Sequence, residues 1–190
     1  MRLRAEAPFG VTLIELTVIA AVLSIVMVSA LPSLVDFSDR HRLRAAAEGV
    51  ISLVSNARAE AVKNDLDVNI AMAGSGSAWC MGANAAAQPG GGNPAAGATA
   101  CDCTDISACN VSSQRAAIEV GAYPDVRVGP LPAALTFGGK LGAINPLGTR
   151  SLTLTSPRSR YDLAVEINAL GQARPCVPTG KPVIAGVSPC

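Results

Sequence analysis

Residues 13–35, LIELTVIAAVLSIVMVSALPSLV, form an apolar run with one charge, Glu15, and one proline, Pro32. Roughly 20 helical residues cross a hydrocarbon core, so the run is long enough to span a bilayer. A chain of 190 residues then leaves room for one globular domain with a real core, attached to that segment. An ordinary signal peptide would place a small-residue cleavage site after the apolar region. Here the run passes straight into an amphipathic helix, and a short polar leader, MRLRAEAPFG, precedes it.

The charges flanking the run disagree about orientation. Arg2 and Arg4 favour a cytoplasmic N-terminus, whereas Arg40, Arg42 and Arg44 stand on the other side and oppose it. Cysteine placement decides. Cys80, Cys101, Cys103, Cys109, Cys176 and Cys190 all lie downstream of the run, as expected where the domain folds in an oxidising, extracytoplasmic compartment. The formal net charge of +1 conceals a basic C-terminal part, since residues 140–190 carry six Lys/Arg against two Asp/Glu.

Pro8-Phe9-Gly10-Val11-Thr12-Leu13-Ile14-Glu15-Leu16 resembles the type IV prepilin cleavage motif, in which a glycine ends the leader and a glutamate follows the new N-terminus. The resemblance implies that prepilin peptidase cuts after Gly10, leaving Val11 as the first mature residue and the site of N-methylation. Val11 replaces the commoner phenylalanine. Gly10 has no side chain, so a protease at the membrane surface can approach an extended backbone there. A lone carboxylate at Glu15 costs on the order of 3 kcal/mol inside a membrane and calls for a partner. In prepilins that partner is the freed amino terminus of a neighbouring subunit. Pro32 removes a helical hydrogen bond and predicts a kink; in pilins the same position lets the helix bend during filament packing.

Beyond Pro32, Leu43, Ala47, Val50, Val54, Ala57 and Ala61 recur in steps of four and three, which predicts an amphipathic helix over residues 36–64. The segment AAAEGVISLVSNARAEAVKNDLDVNIAM resembles the GspH/FimT-like minor pilins, where an ARxEA stretch ends the helix before the first strand. Arg58 and Glu60 within it read as solvated surface charges. Residues 65–190 read as a β-rich domain. Alternation marks strands at 68–72, 151–155 and most clearly 161–167, with short strands expected near 115–120, 126–128, 133–137 and 183–187. Residues 82–100, rich in Gly, Pro and Ala, read as a mobile exposed loop. The expected class is α+β and pilin-like: a long N-terminal α-helix, membrane-spanning in its first half, packed on an antiparallel β-sheet with disulfide-stapled loops.

Cys80, Cys101, Cys103 and Cys109 can be drawn as a four-thiolate metal site, but their spacing and compartment favour disulfides. Cys101 and Cys103 are too close in sequence to bridge directly without strain, so they pair with Cys80 and Cys109 in an order left open. Cys176 and Cys190 then staple a C-terminal loop. Leu170-Gly171-Gln172-Ala173-Arg174-Pro175-Cys176 partly resembles a C-terminal motif of GspH/FimT-like proteins that is associated with DNA binding in some members. Gln172 stands where the first arginine would be, which leaves Arg174, with Lys140, Arg150, Arg158, Arg160 and Lys181 as further candidate contacts. One motif arginine is thin support for phosphate binding, and a fold-stabilising turn is the expected role. No nucleophile, acid pair or phosphate-cradling loop suggests an enzyme, the single His41 stands among arginines, and no cofactor or metal is expected.

The resemblance as a whole implies a minor type IV pilin that helps initiate or cap a pilus within a tip complex. Its partners would be other pilins through the N-terminal helix, prepilin peptidase and the inner membrane. It would be a single-pass protein with a periplasmic domain. The alternatives are an H-type minor pseudopilin of type II secretion and a DNA-binding minor pilin of natural transformation.

Overall fold

The computed structural model describes residues 11–85, 101–130 and 135–190, and the side chains of residues 28–32 fall outside the described set. The leader 1–10 with Gly10, and residues 86–100 of the expected loop, likewise lie outside it. The chain divides into two compact units, Met1–Ser38 and Asp39–Cys190. A single helix, α1, is assigned over Leu13–Asn64 and includes Pro32.

In the first unit α1 starts on a side-chain cap. Thr12 precedes the first helical residue, its hydroxyl oxygen accepts the Glu15 N–H at 3.3 Å, and its carbonyl accepts the Leu16 N–H at 3.2 Å. Among the described residues no helix is long and apolar enough to cross a membrane. The expected span 13–35 includes residues 28–32, whose side chains are not described.

In the second unit the helix buries one face. Leu43, Ala46, Ala47, Val50, Leu53, Val54, Ala57 and Ala61 are all buried, which bears out the three-and-four spacing. The helix ends where Asp65 turns into the left-handed region, with φ 50°, and the Leu66 N–H donates to the Ala61 carbonyl at 3.1 Å. That six-to-one bond closes the last turn in the manner usually reserved for glycine.

Strands follow in chain order: β1 Val68–Ser75, β2 Ala78–Ala85, β3 Asn110–Val111, β4 Gln114–Arg115, β5 Ala117–Ile118, β6 Arg127–Val128, β7 Leu135–Phe137, β8 Ile144–Asn145, β9 Arg150–Thr155, β10 Asp162–Ile167 and β11 Ala173–Cys176. One sheet has the order β5-β2-β1-β7-β8, a second β11-β10-β9-β6, and β3-β4 is a small hairpin. All the pairings between strands are antiparallel. Large side chains from both main sheets, among them Ile70, Phe137, Leu154 and Leu163, join the helix face in one apolar cluster. In β10 Leu163 stands opposite Leu154 and Val165 opposite Leu152, so the alternation legible in both strands meets in register.

Two expectations are corrected. Residues 82–85 are not loop but the second half of β2, and 183–187 is not a strand but a turn in which the Val187 N–H donates to the Ile184 carbonyl at 3.0 Å. In β2, Trp79, Met81 and Ala83 enter the main core while Cys80 joins a second cluster with Cys103 and Cys109. With both faces covered the strand needs no polar alternation. Gly82 lies beneath Cys101 and Cys109, where a Cβ would collide with their sulfurs. The 183–187 segment is drawn into its turn by the tail, since the Val177 N–H donates to the Ser188 carbonyl and the Cys190 N–H to that of Val177.

All six cysteines are paired: Cys80–Cys103, Cys101–Cys109 and Cys176–Cys190. The order left open by sequence is thereby settled, and no thiolate is left over for a metal. Peptide mapping of unreduced protein should recover these three linkages and no free thiol; any other partner for Cys103 would contradict the fold. Phe137, fully buried between β1 and β8, should lose about 3 to 5 kcal/mol of stability when replaced by alanine. Chemical denaturation would measure this, with Leu147→Ala, at a 74% exposed position, expected to stay within about 0.5 kcal/mol.

Candidate assembly site

The first unit presents an apolar surface that is exposed among the described residues. Leu13, Ile14, Leu16, Val18, Ile19, Val22, Leu23, Ile25, Val26 and Met27 are between 48% and 80% exposed, and they occupy every side of the helix. The polar groups among them are handled locally. The Thr17 hydroxyl donates to the Ile14 carbonyl at 2.8 Å and the Ser24 hydroxyl to that of Ala20 at 2.7 Å, which removes their need for water. The Glu15 carboxylate is different: among the described residues no side chain pairs with it. It sits in the first turn, the end of the helix that favours negative charge.

Thr12 was not singled out by the sequence reading. The signal was present: Thr12-Leu13-Ile14-Glu15 has the spacing of a capping box directly before an apolar run. Pro32 is within α1, and its side chain lies outside the described residues.

At the other end of α1 the reading of Arg58 and Glu60 as solvated charges is overturned. The Arg58 Nε–H donates to the Gly142 carbonyl at 3.1 Å. Its stem runs beside Gly171, which has φ 77° and leaves no space for a Cβ: one built there would stand 2.9 Å from Arg58 Cδ and 2.8 Å from Phe137 Cε1. The ARxEA stretch therefore touches the Leu170-Gly171 part of the C-terminal motif directly. Glu60 accepts from the Ser112 hydroxyl, from Asn64 Nδ2 at 2.9 Å and from Lys63 Nζ at 3.3 Å. The Ser112 bond above all, then those to Asn64 and Lys63, hold its carboxyl below the ordinary value of 4.5. The two charges fix the helix end to loops 52 and 84 residues away.

Arg115, also missed in the sequence, binds the loop carrying Cys101–Cys109. Its guanidinium donates to the carbonyls of Asp105 and Ile106 at 2.8 Å and of Ala108 at 3.0 Å, and its Nε–H to Glu119 at 2.5 Å.

The candidate DNA contacts are not all brought together, because the motif cation Arg174 is held apart from Arg158 and Lys181. Arg174 donates twice to Glu166, at 2.9 and 2.5 Å, across the β10–β11 pair. Gln172, in the place of the motif's first arginine, accepts from Asn168 Nδ2 at 3.0 Å, and the Asn168 carboxamide oxygen caps the turn into β11. Lys181 meets Asp162 at 2.6 Å and Arg158 meets Asp39 at 3.5 Å. Asp162 and Glu166 are four residues apart on β10, about 13 Å at strand rise. Arg150 donates to the Thr149 and Pro146 carbonyls, and Lys140 lines an open cleft beside Asp65 and Asp67.

Two outcomes follow from the helix-end contacts. Gly171→Ala should cost more than about 1 kcal/mol, because both its backbone angle and its space exclude a Cβ; thermal or chemical unfolding measures it. Glu60 has a folded pKa below its unfolded one, so its contribution is complete above about 4.5 and is lost as pH falls through the folded value. The stability gap between wild type and Glu60→Gln should accordingly be open at pH 7 and close as the pH is lowered below that range.

No known family model matches the chain, and no curated protein matches it. Solved structures similar to it include the type IV minor pilin FimU of Pseudomonas aeruginosa strain PAO1 in two crystal forms. The P21 form is 15% identical over 73% of this chain and 90% of that one, with a TM-score of 0.48. The P65 form is 16% identical over 70% and 91%, with a TM-score of 0.45.

Proposed function

We propose that the chain is a minor type IV pilin, cleaved after Gly10 by prepilin peptidase, which assembles with other pilins through its N-terminal helix. The observation that carries this reading is a helix exposed on every side from Leu13 to Met27, holding one carboxylate with no partner among the described residues. Lipid can cover such a helix before assembly, and neighbouring helices can cover it afterwards. The Pro8–Leu16 motif supplies the route from one state to the other, because cleavage after Gly10 creates an amino group near Glu15. In the same reading the domain is extracytoplasmic, consistent with three disulfides, and its place is in a complex that starts or caps the filament. The DNA-binding alternative gains nothing from Arg174, whose charge is matched by Glu166.

Replacing Gly10 with phenylalanine should leave full-length precursor in the membrane fraction, and N-terminal sequencing of the wild-type product should begin at Val11. A mature chain starting elsewhere would reject the reading. Glu15→Ala should be cleaved and fold normally while its recovery in sheared filaments falls. Breaking a desolvated charge pair from one side is worth about 3 to 5 kcal/mol, so at least a tenfold loss is expected. Equal recovery of both variants would show the pair to be dispensable.

A further inference from the structure

The second unit opens with Asp39-Arg40-His41-Arg42-Leu43-Arg44, and separate loops bring more cations to these six residues. Arg158 reaches Asp39 at 3.5 Å, and Arg40 lies over the Tyr161 ring, 5.5 Å from its centroid. Arg42 meets Asp125 at 3.5 Å, and the Arg44 guanidinium stands 3.2 Å from where a Cβ on Gly186 would be. Arg127 donates to the Ser159 hydroxyl at 3.4 Å, and Lys181 meets Asp162, the neighbour of Tyr161, at 2.6 Å. With Arg160 in the same turn, the cluster carries seven cations, of which Arg42, Arg158 and Lys181 pair with Asp125, Asp39 and Asp162.

We propose that this cluster is a docking surface for anionic phospholipid headgroups, which holds the domain against the membrane face before assembly. The inference rests on the reading of residues 13–35 as a membrane segment and adds a second contact to it. The cluster follows the apolar run directly in sequence, and juxtamembrane groups of this size are drawn to negatively charged lipid surfaces. The far end of α1 lacks the excess: residues 58–67 hold Arg58 and Lys63 against Glu60, Asp65 and Asp67. Two of the three carboxylates act as roots rather than as cancelling charges, and the third, Asp125, is 70% exposed beside Arg42. The side chains of Asp39 and Asp162 are only 7% and 11% exposed, while their partners Arg158 and Lys181 remain 54% and 48% exposed. These two acids are inside and their positive partners stay at the surface, already ordered for an anionic partner. Duplex DNA fits less well, because the motif cation Arg174 stands apart along β10 and is matched by Glu166.

The test is hydrogen exchange on the full chain in nanodiscs of phosphatidylcholine alone or with phosphatidylglycerol. Exchange at residues 125–127 and 157–161 should slow about threefold or more when phosphatidylglycerol is present. The effect should vanish in about 0.5 M salt. Arg127→Gln, which leaves both buried carboxylates paired, should weaken the slowing, and Arg127→Lys should keep it. Equal exchange in the two discs with the chain inserted in both overturns this inference alone. Failure to insert into either disc overturns the membrane reading and this inference with it. Slowing by a duplex oligonucleotide but not by phosphatidylglycerol reassigns the surface to nucleic acid and overturns the lipid proposal.

Discussion

Burial of the α1 face from Leu43 to Ala61 is the interaction on which the rest of the domain depends. Half of that face is alanine: Ala46, Ala47, Ala57 and Ala61 are all at most 3% exposed. Alanine removes little area from water by itself, so the apolar gain must come from what approaches it. The largest fully buried side chains are mostly on strands, Phe137, Ile70, Leu135, Leu152, Leu154 and Leu163 among them. A small-residue helix and large-residue strands fill the space between them in a complementary way. The position along the helix matters as much as the face, because Arg58 and Glu60 near its end bond to Gly142 and Ser112. Asp65, with φ 50°, then turns the chain out of the helix.

A second, smaller cluster explains why the loops can be poor in apolar side chains yet ordered. β2 is covered on one side by the main core and on the other by Cys80, Cys103 and Cys109. Cross-links replace area that small loops lack, at about 3 kcal/mol for a ring of some 15 residues, and the Cys176–Cys190 ring spans 14. Arg115 completes the arrangement by supplying donors to carbonyls in a loop too short to pair them itself.

What could be seen in the sequence was whatever repeats locally. The steps through Leu43, Val50, Val54 and Ala61 state a helix face, and Leu152 to Leu154 and Leu163 to Ile167 state strands, because each element has one dominant period. β2 was hidden because both its faces are covered, so Cys80 and Gly82 carry no polar signal opposite Trp79 and Met81. Arg58 and Glu60 were misjudged for another reason. Their partners, Gly142 and Ser112, are far along the chain, and nothing in an ARxEA stretch states what will be packed beside it. Ile184 has strand-like neighbours and is buried, yet the tail paired to Val177 takes the segment into a turn. In the N-terminal segment, Thr12 was readable from its distance to Glu15. A partner for Glu15 was not, and none stands among this chain's described residues.

That last point bears on how an apolar helix can carry a carboxylate. Thr17 and Ser24 return their hydroxyl protons to carbonyls of the preceding turn, so each is satisfied within α1. A carboxylate has only acceptors, and the backbone donors within its reach lie in the first turn, where the Thr12 hydroxyl oxygen already takes the Glu15 N–H. Its charge, moreover, is not cancelled by hydrogen bonds from neutral groups. In a low-dielectric surrounding, the Glu15 charge therefore calls for a cation from outside the helix. In the proposed assembly an amino group brought by another subunit would supply it, which would make a carboxylate with no partner among the described residues a requirement for company rather than a defect of the fold.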